Sequence, residues 1–262
     1  MSVRKVTEIW TYPVKSLGGI RHTSAKVFPK GLEHDRRWML IDDQNVFMTQ
    51  RVHHKMALFR TEWANGALKV THGSDSVSIP GEISGPEMKA QIWDDIVSVA
   101  EVHSTISNWF SDKLSMSCRL VAFPEENGRP VDPRYKVGDD HVSLADGYPL
   151  LIIGQSTLDD LNARMASPVP MNRFRPNVVF IGGDPFEEDT WSRFTIGNNA
   201  FAAVKQCGRC VLPTVDQSTG IMGKEPLATL NKYRKYDGKV LFGMNLIPLE
   251  HKEIHEGDEI VF

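Results

Sequence analysis

The 262-residue chain reads as a mostly β protein, a barrel-like core joined to an N-terminal β domain, with a few helices. Three observations predict this class. Apolar and polar residues alternate with period two in many short segments, turn-forming residues separate those segments, and only three stretches carry the 3.6-residue apolar period of a helix. The alternating segments are Val6–Tyr12, Trp38–Asp42, Val46–Thr49, Ile96–Val102, Asn177–Ile181, Phe201–Lys205 and Val240–Leu246. Turn chemistry stands at Leu17-Gly18-Gly19, Asp42-Asp43, Ala64-Asn65-Gly66, Ile196-Gly197-Asn198-Asn199 and Glu256-Gly257-Asp258. Of the helices, Ser104–Leu114 sets Ile106, Trp109, Phe110 and Leu114 on one face. Gln155–Met165 opens with Ser156 as its N-cap residue and shows Leu158, Leu161 and Met165. Glu225–Tyr236 has Pro226 in its first turn and shows Leu227, Leu230 and Tyr233. The stretch Phe123–Asp140, rich in Pro, Gly and charge, reads as a seam or mobile loop, and Glu125-Glu126 within it as solvated surface.

With 41% hydrophobic and 24% charged residues, the composition is that of a soluble globular protein. No stretch approaches the roughly 20 apolar residues that a membrane-spanning helix needs. The first residues carry no uninterrupted apolar run, so no secretory signal is expected. Three cysteines cannot build a disulfide framework, which points to a reducing cytoplasm. The net charge of -3 conceals an asymmetry: residues 1–60 hold eleven Lys/Arg against five Asp/Glu, a balance of +6. A basic quarter on an otherwise acidic chain favours an anionic ligand. It lacks the basic stripe interleaved with aromatics that nucleic-acid binding requires.

Four clusters could carry chemistry. In Lys205-Gln206-Cys207-Gly208-Arg209-Cys210 the cysteines stand three apart. A zinc site would need two more ligands, a thioredoxin-like pair would sit where a strand enters a helix, and a buried cysteine with an incidental neighbour is the plainest alternative. Arg209 and Lys205 favour thiolate, the form that a soft metal takes. Tyr12-Pro13-Val14-Lys15-Ser16-Leu17-Gly18-Gly19 offers a cation, a hydroxyl and backbone N–H groups at a tight turn, an anion cradle or an ordinary exposed turn. In His34-Asp35-Arg36-Arg37-Trp38 the two arginines face opposite ways, so one points inward and needs a carboxylate or an anionic ligand. Arg173-Phe174-Arg175-Pro176-Asn177 precedes an apolar strand, and its guanidinium forks suit phosphate or structural ion pairs equally. His34 could line a pocket or sit in an exposed turn, and His53-His54 read as a surface loop.

Taken in order, YPVKS, GLEHDRRW, FMTQR, RFRPN, CGRCVLPTVDQSTG, KEPLATL and FGMNL resemble the MOSC-domain proteins with an N-terminal MOSC β-barrel domain, over nearly the whole chain. That family includes the amidoxime-reducing components, which reduce N-hydroxylated compounds with a molybdenum cofactor. The resemblance implies an N-terminal domain at residues 1–115, a MOSC domain at 116–262, and molybdopterin between them. It maps the molybdenum ligand onto Cys210 and the molybdopterin-binding residues onto Lys15, Ser16, Arg36, Ser156, Arg175 and Asn177. Asp216 is a candidate for proton delivery or a turn residue in Asp216-Gln217-Ser218-Thr219-Gly220. Pro213 departs from the hydroxyl residue that many relatives carry there.

The implied activity is reduction of a small N-hydroxylated substrate. No G-x-G-x-x-G opens a dinucleotide fold and no C-x-x-C-H attaches a haem, so electrons are expected from a separate flavin, haem or iron–sulfur protein. Two other readings stand beside it, a molybdenum-cofactor or sulfur carrier and a cofactor-binding protein without turnover.

Overall fold

A computed structural model describes residues 3–81 and 85–262. The chain is mostly β, as expected. Its largest sheet runs in the order Ile20–His22, Lys5–Thr11, Val178–Ile181, Leu150–Gly154, Lys239–Pro248, Asn199–Arg209, Arg193–Ile196, Ile260–Val261. The neighbours are antiparallel except Leu150–Gly154 and Val178–Ile181, which run parallel. A parallel pair needs a crossover, here carried by the helix Gln155–Ala163 between the two strands. The pleat sorts side chains to two cores. Ile152, Val178 and Phe180 join Ile9, Phe201 and Leu246 on one face, while Leu151, Ile153 and Val179 join Leu158, Phe174 and Phe242 on the other.

A second sheet orders Trp38–Ile41, Arg119–Ala122, Asp95–Glu101, Glu87–Ile92. Trp38 and Leu40 face a core shared with helix Ser104–Leu114 and the hairpin strands Arg60–Ala64 and Ala67–His72, whereas Met39 and Ile41 face Val97, Val99 and Val121. Helix Ser104–Leu114 has the predicted bounds, with His103 as its capping residue.

Several expectations need correction. Val46–Thr49 is no strand: Val46 bridges Gln91 and Phe47 bridges Ile41, two different strands, so only isolated bridges form. Ser156 does not cap its helix, because Gly154 is the N-cap and Ser156 lies in the first turn. The last helix is shorter, Leu227–Tyr233, and Lys235–Tyr236 instead turns at Asp237-Gly238, both at positive φ, to pair with Lys239–Pro248. Within 123–140, Glu125 accepts from Arg37 Nε at 2.6 Å and pairs with Lys30 at 3.2 Å, so it anchors the loop rather than standing free.

Candidate functional site

A cleft of about 800 Å³ opens between the end of strand Asn199–Arg209 and the loops after strands Lys5–Thr11 and Leu32. Lys15, Ser16, Arg36, Arg175, Asn177 and Cys210 all line it. Seven lysines and arginines face the cleft against two carboxylates, Asp146 and Asp237, in a chain whose net charge is -3. A walled cleft of one sign concentrates anions.

The backbone is bent to deliver these side chains. Ser16, Arg36 and Arg175 lie at φ of 66°, 52° and 55°, the left-handed region that costs a non-glycine residue about 1 kcal/mol or more. Buried contacts hold them there. Lys15 N–H donates to the Trp38 carbonyl at 2.7 Å, and Gln50 Nε2 donates to the Ser16 carbonyl at 2.7 Å. The two glycines that follow serve packing, not an anion cradle. Gly18 N–H already donates to the Phe59 carbonyl at 2.9 Å, and a Cβ on Gly19 would lie 2.5 Å from the Tyr12 ring.

Two linked networks form the wall. In the first, Asp35 accepts from Tyr12 N–H at 2.7 Å and from Arg36, which also donates to Asn177 Oδ1 at 3.2 Å. Arg36 and Arg175 both lie over the Tyr12 ring, at 4.7 and 4.1 Å from its centroid. Burial pushes the Tyr12 phenol up to about 12, partly offset by those arginines. Burial lowers Arg175 to about 10, which leaves it charged at neutral pH, and its Nη1 donates to the Leu17 carbonyl at 2.6 Å. Arg37 points the other way into Glu125, so the adjacent arginines do face opposite sides.

The second network ends on sulfur. Lys15 Nζ donates to Asp146 Oδ1 at 2.6 Å, Arg51 Nη2 pairs with Asp146 Oδ2 at 2.5 Å, and Arg51 Nε donates to Cys210 Sγ at 3.0 Å. Burial lowers the Lys15 ammonium to about 8; Asp146 opposes that fall, while Arg51 and Arg129 add to it. Burial also works against charge on Arg51, but Asp146 and the Cys210 sulfur outweigh it. Although 55% of the Asp146 side chain remains exposed, its surroundings disfavour ionisation; Lys15 and Arg51 outweigh them and hold the carboxyl far below its usual range. Trp93 covers the other side of Arg51, 4.5 Å from ring centroid to guanidinium. Cys207 lines the same cleft and accepts from Arg209 Nη1 at 3.2 Å.

Two candidates lie elsewhere. Ser156 does not line the cleft, and its hydroxyl is buried without a partner. Asp216 accepts from Arg173 Nη2 at 2.7 Å and from Ser218 and Thr219 in its own turn, and the Ser218 bonds foremost bring it down to about 2. His34 is also outside, its ring tilted 48° against that of Trp63 at 4.8 Å, and both line a smaller cavity. Sequence reasoning assigned no role to Arg51 or Asp146. Arg51 ends the Phe47–Arg51 stretch that contributed to the family resemblance, whereas Asp146 has no local signature.

Residues 3–117 match the family described as MOSC N-terminal beta barrel domain, and residues 139–261 match MOSC domain. The chain is 31% identical to mitochondrial amidoxime-reducing component 1 of Mus musculus, over 90% of this chain and 73% of that one. It is 33% identical to mitochondrial amidoxime reducing component 2 of Homo sapiens, over 90% and 74%. A molybdenum cofactor sulfurase of Danio rerio is 30% identical over 92% of this chain, which spans 31% of that longer protein. Every residue lining the cleft except Tyr135 thus lies in a matched segment, and the chain belongs to the MOSC-domain proteins that carry an N-terminal MOSC β-barrel domain.

Proposed function

We propose that this chain is a molybdenum-cofactor-dependent reductase of small N-hydroxylated compounds, with Cys210 as the protein's ligand to molybdenum. The observation that carries the reading is the meeting of one cysteine sulfur with a strongly cationic wall in a single cleft. Molybdopterin is a flat heterocycle with an anionic phosphate, and the donors present fit it. Lys15, Ser16, Arg36, Arg175 and Asn177 would hold the phosphate and pterin edges. Arg209 Nε lines the cleft buried and unpartnered, as a donor awaiting a ligand. Among the described residues no group of three or more His, Cys, Asp or Glu could hold a bare ion. A metal already carrying its own sulfur ligands needs only the one soft thiolate that Cys210 supplies.

When bound, the cofactor supplies a two-electron redox centre that can take up the oxygen of an N–O bond. The chain's own part is binding and orientation. Arg51 holds the Cys210 sulfur, Asp146 fixes Arg51, and the guanidiniums of Arg36 and Arg175 stay charged at working pH. Ser156 and Asp216, outside the cleft, take no part in this reading. Electrons would come from a separate flavin, haem or iron–sulfur protein. The three unpaired cysteines suit a reducing compartment such as the cytoplasm.

The test is elemental analysis of the purified protein for molybdenum, followed by benzamidoxime reduction with reduced viologen. Wild type should contain the metal and turn over. Cys210→Ser replaces a soft thiolate by a hard hydroxyl and should lose activity with an unchanged unfolding temperature; Cys207→Ser should be milder. Near-normal turnover by Cys210→Ser would overturn the assignment. The sulfurase relatives favour a second reading, a sulfur carrier. A persulfide on Cys210 without turnover would select it.

A further inference from the structure

We infer that Lys205, Tyr148 and Tyr135 form a subsite for an anionic group on the substrate, so that the preferred substrates are aromatic N-hydroxylated compounds bearing a carboxylate. This rests on the reductase reading and adds the substrate class. All three residues line the cleft that holds Cys210. Strand Asn199–Arg209 slips register between Ala203 and Lys205 and again between Gln206 and Gly208. Such bulges re-aim side chains, and Lys205, Gln206 and Cys207 all face the cleft in succession.

The Lys205 ammonium makes no hydrogen bond or ion pair among the described residues. It lies 4.2 Å from the Tyr135 ring centroid and 5.6 Å from that of Tyr148, and the two rings meet edge to face at 6.1 Å. Asp132 is the carboxylate that feels its charge, but Arg134 already holds both Asp132 oxygens, at 3.1 and 2.6 Å. Beside Lys205, the Tyr148 hydroxyl is buried without a partner. An unpaired ammonium and an unpaired hydroxyl on two ring faces lack one thing, an acceptor carried on a flat frame. Most other cations of the wall are engaged: Lys15 and Arg51 with Asp146, Arg36 with Asp35, and Arg175 with the Leu17 carbonyl. Among the described residues Lys239 is free as well, but its ammonium lies over no aromatic ring. A carboxylate on the substrate would therefore meet Lys205 without displacing an existing partner.

The experiment compares benzamidoxime with 4-carboxybenzamidoxime in the molybdenum-loaded protein, for wild type, Lys205→Met and Tyr148→Phe. The wild-type kcat/KM ratio should favour the carboxylated substrate by about tenfold, mainly through KM. The ratio should fall to about one in Lys205→Met and partway in Tyr148→Phe. Benzoate, which has no N–O bond, should bind the purified wild type in calorimetry and bind Lys205→Met about tenfold more weakly. Molybdopterin content should equal wild type in both variants. A wild-type ratio near one, or a ratio that survives Lys205→Met, would overturn the subsite. Loss of molybdopterin from Lys205→Met would assign these donors to the cofactor's phosphate instead, which also overturns it. If neither amidoxime is reduced, the reductase reading fails, and benzoate binding still decides the subsite.

Discussion

Replacing Lys15 by Met isolates the cost of burying an ammonium in the cationic wall. Lys15 is 5% exposed and its group lies near 8, against an ordinary value of 10.5. Between those two pH values the unfolded chain binds a proton that the folded protein has released. Stability contributed by this group therefore rises with pH across that window and is lowest below it. One proton corresponds to about 1.4 kcal/mol per pH unit, so the full effect is about 3 kcal/mol. Other titrating groups tilt the curve as well, which is why the comparison with Lys15→Met is needed. The assay is urea unfolding of both proteins, freed of anionic ligands, at several values from pH 7 to pH 10. Wild type should gain about 2–3 kcal/mol on the variant over that range. Parallel curves would show that Lys15 has an ordinary ammonium and that Asp146 compensates its burial. A bound phosphate should restore the proton to Lys15 and flatten the difference.

Two further perturbations test other buried charges. Glu188 is fully buried, accepts from Gly154 N–H and the Thr157 hydroxyl, and is raised by burial from 4.5 to about 6. Its contribution to stability is complete below about pH 4.5 and is lost as pH rises through about 6. Glu188→Gln should thus be more stable than wild type at pH 7.5 by about 2 kcal/mol in thermal unfolding; equal stability at pH 5 and pH 7.5 relative to wild type would refute this. Asp35 is 1% exposed and holds both Arg36 and Tyr12 N–H. Asp35→Ala leaves Tyr12 N–H without this acceptor and the Arg36 charge without its carboxylate, and should cost about 3–5 kcal/mol, read from denaturant unfolding, with Asp35→Asn less harmful. A loss under about 1 kcal/mol would mean that solvent replaces the carboxylate.

The period-two signal was legible where a strand has one polar face and failed where it has none. Leu150–Gly154 is buried along its whole length, because both faces of the large sheet are covered, so no alternation exists to find. The turn at Asn65-Gly66 was visible, yet its flanking strands Arg60–Ala64 and Ala67–His72 were not, since Glu62 and Lys69 sit across the pair amid mixed residues. Conversely, Val46–Thr49 alternates but divides its pairing between Ile41 and Gln91 and so forms only isolated bridges. Of the site, Cys210 and the cations at 15, 36 and 175 were readable as an ordered set of short motifs. Their convergence depends on pairings between segments more than a hundred residues apart, such as Lys15 with Asp146, which local pattern cannot register. Ser156 and Asp216 follow the motif spacing, but a helix turn and an ion pair with Arg173 direct them away from the cleft.

The place of strand Lys5–Thr11 bears on how the protein is made. Ile20–His22 can pair with it almost at once, but its other neighbour, Val178–Ile181, is synthesised about 170 residues later. Val6 N–H also donates to the Asp258 carbonyl, and Ile260 N–H to that of Arg4. At translation rates of roughly 5–20 residues per second, the first strand waits about 10–30 s with one edge unpaired. During that interval its apolar residues Val6 and Ile9 have no core to enter, since Val178 and Phe180 do not yet exist. Nascent chains of this protein should therefore depend on chaperones that cover an exposed strand edge near the N-terminus, and slowing translation should lengthen that dependence.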